Sequence, residues 1–542
     1  KIRNISHLIF TLMIKIILQL FCIVCALNVM AQTGKNSEKD AFFNQTTLQV
    51  TAPGTLEQAF ADASPDKWQG LRVVGPLNEA DMRFIARLAK PGSLDDLHSI
   101  NLQDAQVERV PDGWLRGFTY VLYVYLPTTV KEIGKYAFAY TNSLRWADLP
   151  EGLKTIGECA FVGTNLQRVN LPTSLEKIGE GAFAHLKDLR EVSVPAENDN
   201  FDLVDSLLIR NEDNTLLQCF MKGKGQVQVP EAIQRIGLMA FGGAKNISAI
   251  SIPKGVTYIG EDAFASSYAL EAINVDAANA HYASTDGVLF DKNQTILFCY
   301  PASKRGNSYV VPATVKELAI GAFQEANGQN AYKLITDKAE KKKARLLNVT
   351  LPEGLVKIGK WAFTYTGFQV NIPSTVREIG DSCFYYSDIE EATIPEGVKR
   401  IGDGMFTSCY SLVTLTLPST LEYVGAKLLA YNSQETTLNV YAINPPKCHE
   451  DIFAEAPGQI NLHVVKGCKK AYENSNDWRS SSIEDIEDDL KAVVTAINAP
   501  VQHDNAAEVA RYNLQGVRIY APQPGVNILK MSDGTTKKVL VK

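Results

Sequence analysis

The sequence predicts a β-rich solenoid in which about eleven coils of 21–23 residues wind around a shared apolar interior. Three observations support this prediction: a recurring I-G-x-x-A-F segment, a recurring L-x-x-V-x-L-P segment, and the constant spacing between copies. LPTSLEKIGEGAF (171–183) and LPEGLVKIGKWAF (351–363) are two copies that lie 180 residues apart. A chain of 542 residues exceeds one ordinary compact core, so an array of repeats is the expected architecture.

The final position of I-G-x-x-A-F recurs mostly at steps of 21 to 23 residues. The copies end at Phe138, Phe161, Phe183, Phe241, Phe264, Phe323, Phe363, Phe384 and Phe406. Degenerate copies ending at Leu115 and Leu429 extend the series at both ends. A period in the low twenties with a fixed apolar pattern indicates a leucine-rich-repeat solenoid.

Each part of the repeat has a predicted role. The L-x-x-V-x-L-P segment is expected to form a parallel β face, and its Pro ends the pairing because proline has no N–H to donate. The Ile of I-G faces inward from the return path, and we expect the Gly after it to adopt a positive φ. The Phe is expected to fill the interior and to stack on the Phe of the next coil.

Two longer steps predict hairpin insertions. The step from Phe183 to Phe241 is 58 residues and the step from Phe264 to Phe323 is 59 residues. These intervals contain the related segments SLLIRNEDNTLLQCF and GVLFDKNQTILFCYP, in which two apolar runs flank Asn- and Asp-containing turns. Each insertion is therefore expected to be a β-hairpin.

The solenoid is predicted to occupy residues 95–443 between two caps that cover its end coils. Residues 45–94 are expected to form a small α/β cap, with Asn78 as the N-cap of one helix. Residues 444–488, around Trp478, have a different pattern and are expected to cap the other end. A polar linker at 489–506 then leads to a small β module of three strands at 507–542.

The first 31 residues are expected to be a secretory signal peptide, with residues 32–44 as a flexible segment after it. The segment has a basic start, an apolar middle and Ala31 before the expected cleavage point. A membrane anchor is the alternative, although Lys15 interrupts the apolar stretch.

Cleavage would remove Lys1, Arg3 and Lys15 and change the formal net charge from −6 to −9. An acidic secreted chain lacks the dense basic surface that nucleic acid requires, so no nucleic-acid partner is expected. Any membrane association is expected only through export or surface attachment. The oligomeric state does not follow from the sequence.

Seven cysteines would remain, an odd and sparse set that does not resemble a disulfide scaffold. Cys219, Cys299 and Cys383 occupy apolar repeat positions and are expected to be small buried hydrophobic residues. Cys448 and Cys468 are expected in surface loops, with a disulfide or a metal site as alternatives.

No catalytic motif is present, and the seven histidines are far apart in the sequence. The sequence therefore predicts a protein that is not an enzyme, with no catalytic residues, no cofactor and no metal.

The outward positions of the predicted β face give a ligand-binding hypothesis. Side chains one repeat apart become lateral neighbours on adjacent strands. This arrangement would place two aromatic residues, a guanidinium and a carboxylate in one row, with polar residues beside them. The candidate residues are Tyr123, Tyr125, Arg145, Trp146, Asp148, Arg168, Asn170 and Glu191. The alternative is that ladders of similar side chains only stabilise the strands.

The I-G-x-x-A-F unit, the L-P strand end and the hairpin inserts resemble the BspA-like leucine-rich-repeat surface proteins of Bacteroidetes. The segment HVVKGCKKAY is similar to the family's terminal segment but has Val465 and Cys468 where the family has Pro and Ser. Residues 507–542 resemble the C-terminal secretion and sorting module of Bacteroidetes proteins.

The resemblance implies a protein that is secreted or displayed on the outer surface of a Gram-negative bacterium. It also implies adhesion to a host extracellular protein. Glycan binding in polysaccharide uptake and an architectural role in the envelope remain alternatives. An enzymatic role has no support in the sequence.

Overall fold

The computed structural model describes residues 45–63, 69–90, 97–221, 223–306, 308–326, 348–432, 435–449, 452–456 and 459–492, and parts of 508–541. The predicted signal peptide, the flexible segment at 32–44 and most of the predicted linker lie outside the described residues. Within the described residues, no helix is both long enough and apolar enough to span a bilayer.

The chain forms a parallel β-solenoid of about 18 turns, so the predicted count of about eleven coils is wrong. The fold class itself is confirmed. Parallel strands follow one another along one face of the solenoid, which we call the front face. The count differs because strands of both end segments and of the hairpin regions also belong to this face. The front strands are Gln45–Gln49, Gly70–Pro76, Ser99–Asn101, Tyr123–Tyr125, Trp146–Ala147, Arg168–Asn170, Glu191–Ser193, Gly225–Gln228, Ile247–Ile252, Ala272–Val275, Ser308–Val310, Asn348–Thr350, Gln369–Val370, Glu391–Thr393, Thr414–Leu417, Thr436–Val440, Ile460–Val465 and Ile483–Leu490.

A second series of short parallel strands runs through the I-G segments, which the sequence analysis treated only as a return path. In each of them except the last, where Cys448 is half-buried, the Ile or its equivalent is buried, because the strand places that side chain in the interior. The strands of this back face are Arg109–Val110, Glu132–Ile133, Thr155–Ile156, Lys177–Ile178, Thr215–Cys219, Arg235–Ile236, Tyr258–Ile259, Ile296–Cys299, Glu317–Leu318, Lys357–Ile358, Glu378–Ile379, Arg400–Ile401, Tyr423–Val424 and Lys447–Cys448. Ala105–Gln106 also pairs in parallel with Gly70–Pro76.

The Gly of I-G does not have the positive φ that we predicted. The positive φ values occur two residues later, for example at Tyr136 (54°) and Trp361 (58°). Glycine is required for a different reason, which is the close approach of two coils. A Cβ on Gly179 would lie 2.3 Å from the backbone nitrogen of Glu158, and a Cβ on Gly380 would lie 2.3 Å from that of Lys360.

The predicted stacking of phenylalanines is confirmed, but the rings form three separate stacks. The first contains Phe138, Phe161 and Phe183, with centroid distances of 4.9 and 5.7 Å. The second pairs Phe241 with Phe264 at 5.6 Å. The third runs from Tyr300 through Phe323, Phe363, Phe384 and Phe406, with spacings of 5.1 to 5.5 Å. The buried apolar residues divide into three main clusters at the same places.

Both hairpin insertions are confirmed, and each has an additional strand before it. Phe201–Val204, Leu207–Arg210 and Thr215–Cys219 form the first antiparallel unit. Tyr282–Thr285, Val288–Asp291 and Ile296–Cys299 form the second. The last strand of each unit also pairs in parallel with the next back strand. The hairpins therefore interrupt the back face, and we call these two interruptions the first and second break.

The N-terminal segment contains helices Leu56–Ala63 and Glu79–Leu88 beside its front strands. The predicted N-cap is confirmed, since Asn78 and Asp81 form a reciprocal capping box. Near the other end, helix Lys469–Glu473 precedes Trp478, which is fully buried.

Strand Ile483–Leu490 extends beyond the predicted end of this cap at residue 488. The C-terminal module has four antiparallel strands instead of three, because the short strand Arg518–Ile519 pairs with the first of them. The others are Glu508–Tyr512, Gly525–Met531 and Thr536–Val541.

Candidate functional site

The front strands present the candidate residues on neighbouring rungs. In Tyr123–Tyr125 and Arg168–Asn170 the middle valine points into the core, so the flanking residues point away from it. Tyr123 is the direct parallel neighbour of Trp146, and Arg168 is that of Glu191.

Four of the candidate side chains form a continuous row of contacts. Trp146 Nε1 donates a hydrogen bond to Asp148 Oδ1 at 2.7 Å. The guanidinium carbon of Arg168 lies 5.6 Å from the Trp146 ring centroid, within the range of a cation–π interaction. Arg168 Nε lies 3.2 Å from Glu191 Oε2. We call Trp146, Asp148, Arg168 and Glu191 the Trp146 cluster.

The row remains accessible to a ligand. The side chains of Arg168 and Glu191 are 37% and 56% exposed, and Trp146 is half-buried. An ion pair at this exposure contributes little to the stability of the fold. The row therefore presents an aromatic ring and two charged groups, and replacing the Arg168–Glu191 ion pair by contacts with a ligand would cost little of the stability of the fold.

Tyr125 differs from the expectation because it is buried, with an exposed fraction of only 6%. Burial raises its pKa well above the usual value, and the neighbouring carboxylate of Asp148 raises it further. The phenol is therefore neutral, and it offers little surface to a ligand.

The remaining candidates lie around the row. Tyr123 is half-buried beside Trp146, and Arg145 is exposed immediately before the strand. Asn170 Oδ1 accepts a hydrogen bond from Ser193 Oγ at 2.9 Å, which is one rung of a polar ladder on the front face. The ladder continues near the other end, where Asn439 Nδ2 donates to Thr416 Oγ1 at 3.2 Å. These bonds support the alternative that the polar residues stabilise the strands.

The structure also contains an exposed group of tyrosines that was not predicted from the sequence. They follow the stacked phenylalanine, or Leu429 in its place, of successive repeats in FTYTG, FYYSD, FTSCYS and LLAYN. Tyr386 lies 5.0 Å from Tyr365 and 5.2 Å from Tyr410, measured between ring centroids. Tyr386, Tyr410 and Tyr431 are 37%, 42% and 51% exposed. The available signal in the sequence was the recurrence of Tyr two residues after the stacked position, at Tyr365, Tyr386 and Tyr431; Tyr410 lies two residues further along its repeat.

The expectations for cysteine are partly confirmed. Cys219 and Cys383 are buried, and Cys299 is half-buried. Cys468 is also buried and packs in the terminal core, so its prediction as a surface loop residue is wrong. The seven described cysteines are free thiols, which excludes a Cys448–Cys468 disulfide in this structure. Among the described residues, no group of three or more His, Cys, Asp or Glu is placed to hold a metal ion.

Comparison with family models identifies the repeat. The BspA type leucine rich repeat region matches in six copies over residues 97–203, 217–296 and 333–455, which is more than half of the chain. The chain belongs to the BspA-type leucine-rich-repeat family. The likeness of residues 507–542 to a sorting module remains a prediction.

Several solved structures are similar to this BspA-type chain. The pneumococcal vaccine antigen PcpA is 21% identical, with a TM-score of 0.40, over 83% of this chain and 95% of that one. A leucine-rich cell surface protein from Faecalibacterium prausnitzii is 22% identical, with a TM-score of 0.34, over 59% and 79%. A leucine-rich repeat protein from Bacteroides ovatus is 16% identical, with a TM-score of 0.27, over 78% and 84%. A comparison with curated proteins gives no significant match.

Proposed function

We propose that this BspA-type protein is secreted or surface-displayed and binds a host extracellular protein through the front face of its solenoid. The observation that supports the proposal is the row in which the Trp146 ring, the Arg168 guanidinium and the Glu191 carboxylate contact one another. Tryptophan and arginine are the residue types that most often dominate binding energy in protein interfaces.

The row suits a polypeptide ligand because it combines three modes of recognition. The indole ring provides apolar area, the guanidinium can pair with an acidic side chain, and Glu191 can pair with a basic one. The parallel strands hold these groups on a rigid surface, so little conformational entropy is lost on binding.

Glycan binding is the second candidate, and the tyrosine group favours it. Aromatic rings can contact the apolar faces of sugar rings while their hydroxyl groups form hydrogen bonds. Four tyrosine rings, those of Tyr365, Tyr385, Tyr386 and Tyr410, are connected by centroid distances of 5.0 to 6.0 Å. This surface lies on a different part of the repeat from the Trp146 cluster.

The test is capture of the full chain on immobilised host matrix proteins and, in parallel, on a glycan array. The variants are Trp146→Ala and Arg168→Ala. The control is Trp361→Ala, since Trp361 is a half-buried aromatic residue in another repeat, with Lys360 Nζ 4.3 Å from its ring centroid.

We expect Trp146→Ala and Arg168→Ala each to weaken capture by a matrix protein at least tenfold, while Trp361→Ala does not. Unchanged melting temperatures would show that the variants remain folded. Capture that is insensitive to both substitutions would exclude this cluster as the binding site. Glycan capture that is lost on substitution of Tyr386 and Tyr410 would favour the second candidate. No capture on either surface would favour an architectural role.

A further inference from the structure

The second break contains a cavity of about 290 Å³. Strand Tyr258–Ile259 pairs with the strand before it, and its sheet ends there. The next back-face sheet includes Ile296–Cys299 from the hairpin, which pairs with Glu317–Leu318. The cavity lies where these two sheets are not joined, and its volume is near the lower end of the range for small-molecule sites.

The walls of the cavity combine an apolar part with a polar rim of Ser266, Ser267, Gln324, Glu261, Glu317 and Lys357. Phe264, Leu270, Ile296, Phe298 and Tyr300 all line it. Phe264 is only half-buried, although the equivalent residues of regular coils are fully buried, because no coil covers its outer side.

One carboxylate oxygen faces this apolar space. Asp262 Oδ1 is enclosed and has no hydrogen-bond partner among the described residues. An enclosed carboxylate without a partner is energetically unfavourable, so such a group indicates a missing cation or donor. Burial raises the pKa of Asp262 to about 6, with a further contribution from Glu261 and an opposing one from Lys360. The group is therefore mostly ionised at pH 7.4.

Among the described residues no cation forms a salt bridge with Asp262, although Lys360 offsets part of its charge and Glu261 adds a second negative one. Lys357 Nζ lies 2.8 Å from Glu317 Oε1, so the charges of these two residues offset each other. Lys360 Nζ lies over the ring of Trp361. Burial raises the pKa of the Cys299 thiol to about 12, so the thiol is neutral.

We propose that this cavity binds a primary alkylammonium group, with the ammonium paired to Asp262 and the alkyl stem packed against the apolar walls. The ligand class includes a free aliphatic amine and the lysine side chain of a polypeptide, which have the same chemistry. This site is independent of the Trp146 cluster and of the function proposed for it.

The composition of the site favours an ammonium over other cations. A divalent metal needs several oxygen, nitrogen or sulfur ligands, and among the described residues no group of three or more His, Cys, Asp or Glu is placed to hold one. A guanidinium prefers bidentate pairing with both carboxylate oxygens. An ammonium is a compact charge that can pair with one oxygen, and the faces of Phe264 and Tyr300 can add cation–π attraction.

The first break supplies matched controls, because the same two repeat positions hold different residues there. The equivalent of Asp262 is Gly181, and the equivalent of Gly321 is Met239, which packs in a small apolar cluster. In the second break a Cβ on Gly321 would lie 2.9 Å from Asp262 Oδ1. Met239 and Gly321 both have positive φ, at 52° and 63°. Gly321→Met therefore places in this cavity a residue type that the fold already accepts in that conformation.

The experiment is calorimetric titration of the full chain with n-butylamine at pH 7.4, compared with n-butanol and n-butylguanidine. An N-acetyl-lysine amide tests whether a peptide-borne lysine also enters. The variants are Asp262→Asn and Gly321→Met, and Met239→Gly serves as the control that opens the first break without adding a carboxylate. Melting curves for each variant show whether it folds.

We expect n-butylamine to bind more tightly than both comparison ligands, and Asp262→Asn and Gly321→Met each to weaken its binding at least about tenfold. Met239→Gly should leave binding unchanged. Binding by the lysine amide would identify a polypeptide as a source, and its exclusion would leave free amines. No binding of n-butylamine, equal binding of n-butanol, or unchanged binding to Asp262→Asn would overturn the proposal.

A titration at about pH 5 gives a second readout. Binding of n-butylamine should weaken there, because protonation removes the charge of Asp262. Asp262→Asn should lack this pH dependence. Binding that is the same at both pH values would contradict the role of the carboxylate.

Discussion

The two breaks in the back face arise from similar hairpins but are bridged and lined by different residues. At the first break, His185 N donates to Gly242 O at 3.0 Å and Leu238 N donates to Glu180 Oε2 at 2.8 Å. A cavity of about 130 Å³ lies there beside Phe183 and Phe220, and a more open one of about 630 Å³ lies beside Glu180 and Arg210. At the second break, Asp262 faces Gly321 and the cavity has about 290 Å³.

Both insertions displace a regular coil, and the residues at two repeat positions then determine how the space beside the stacked phenylalanine is lined. Met239 fills it in one case, whereas Gly321 leaves it open in the other. A ligand site in such a solenoid therefore depends on residues that the repeat pattern allows to vary.

The largest expected effect compares the phenylalanines beside the two breaks. Phe183 is fully buried between Phe161 and Phe220, so Phe183→Ala should reduce the free energy of unfolding by about 3–5 kcal/mol. Phe264 is half-buried and contacts Phe241, so Phe264→Ala should cost about half as much. Urea denaturation followed by circular dichroism measures both. Equal losses would contradict the conclusion that the second break is open.

The next effect concerns the I-G glycines. Gly380→Ala should cost about 1–3 kcal/mol, because its Cβ would overlap the backbone of the preceding coil. Gly237 follows the first hairpin, where a new Cβ would meet Leu216 O at 3.2 Å, so Gly237→Ala should be close to neutral. The second hairpin already has Ala319 at this position. Urea midpoints of the two variants would test whether both breaks relax the glycine requirement, and equal losses would refute it.

The stability of the fold should depend on pH with opposite signs through one titratable group at each break. Burial lowers the pKa of His185 to about 4, and Lys187 and Lys245 contribute to this shift. The folded state then binds the proton less readily than the unfolded chain, so this group makes the protein less stable as the pH falls from about 6.5 to about 4. The raised pKa of Asp262 has the opposite effect, a gain in stability as the pH falls from about 6 to about 4.

The variants His185→Asn and Asp262→Asn separate these contributions. His185→Asn should reduce the loss of stability between pH 7 and pH 4.5, and Asp262→Asn should increase it. Melting temperatures across this range provide the measurement. If both substitutions changed the dependence of melting temperature on pH in the same direction, the two groups would not have opposite effects on stability.

The smallest expected effect is at the bond that bridges the first break. Glu180→Gln keeps an oxygen that can accept from Leu238 N but loses the charge, so the cost should be about 0.5–1 kcal/mol. Glu261 is the equivalent residue at the second break and is exposed, so Glu261→Gln should have a smaller effect. Chemical denaturation with closely spaced urea points can resolve this difference. A larger loss of unfolding free energy for Glu261→Gln than for Glu180→Gln would contradict this prediction.

The repeat pattern allowed the fold class, the hairpins and the phenylalanine stacking to be predicted, because apolar positions at a constant period determine which side chains share an interior. The number of turns was underestimated because front strands such as Glu191–Ser193 and Ala272–Val275, which lead into the hairpins, belong to coils that lack the I-G-x-x-A-F segment. The reason for the I-G glycine could not be inferred from one repeat, since it depends on the distance to the preceding coil.

For the candidate site, the repeat spacing predicted which residues lie side by side on adjacent strands. Trp146, Arg168 and Glu191 contact one another because their spacing places them on adjacent rungs. The burial of Tyr125 depends on how neighbouring side chains cover it, and periodicity does not report this. Asp262 was missed for a similar reason, because its unusual environment results from the absence of a covering coil.

The division of the interior into three stacks has a consequence for how the molecule opens. In repeat proteins, cooperativity is transmitted by contacts between neighbouring units, and it weakens wherever those contacts are interrupted. The segments before, between and after the hairpins should therefore exchange their amide hydrogens as three blocks, each with its own opening free energy. A force applied to the chain ends would be expected to release these blocks in separate steps, so the hairpins act as boundaries between independent elastic units.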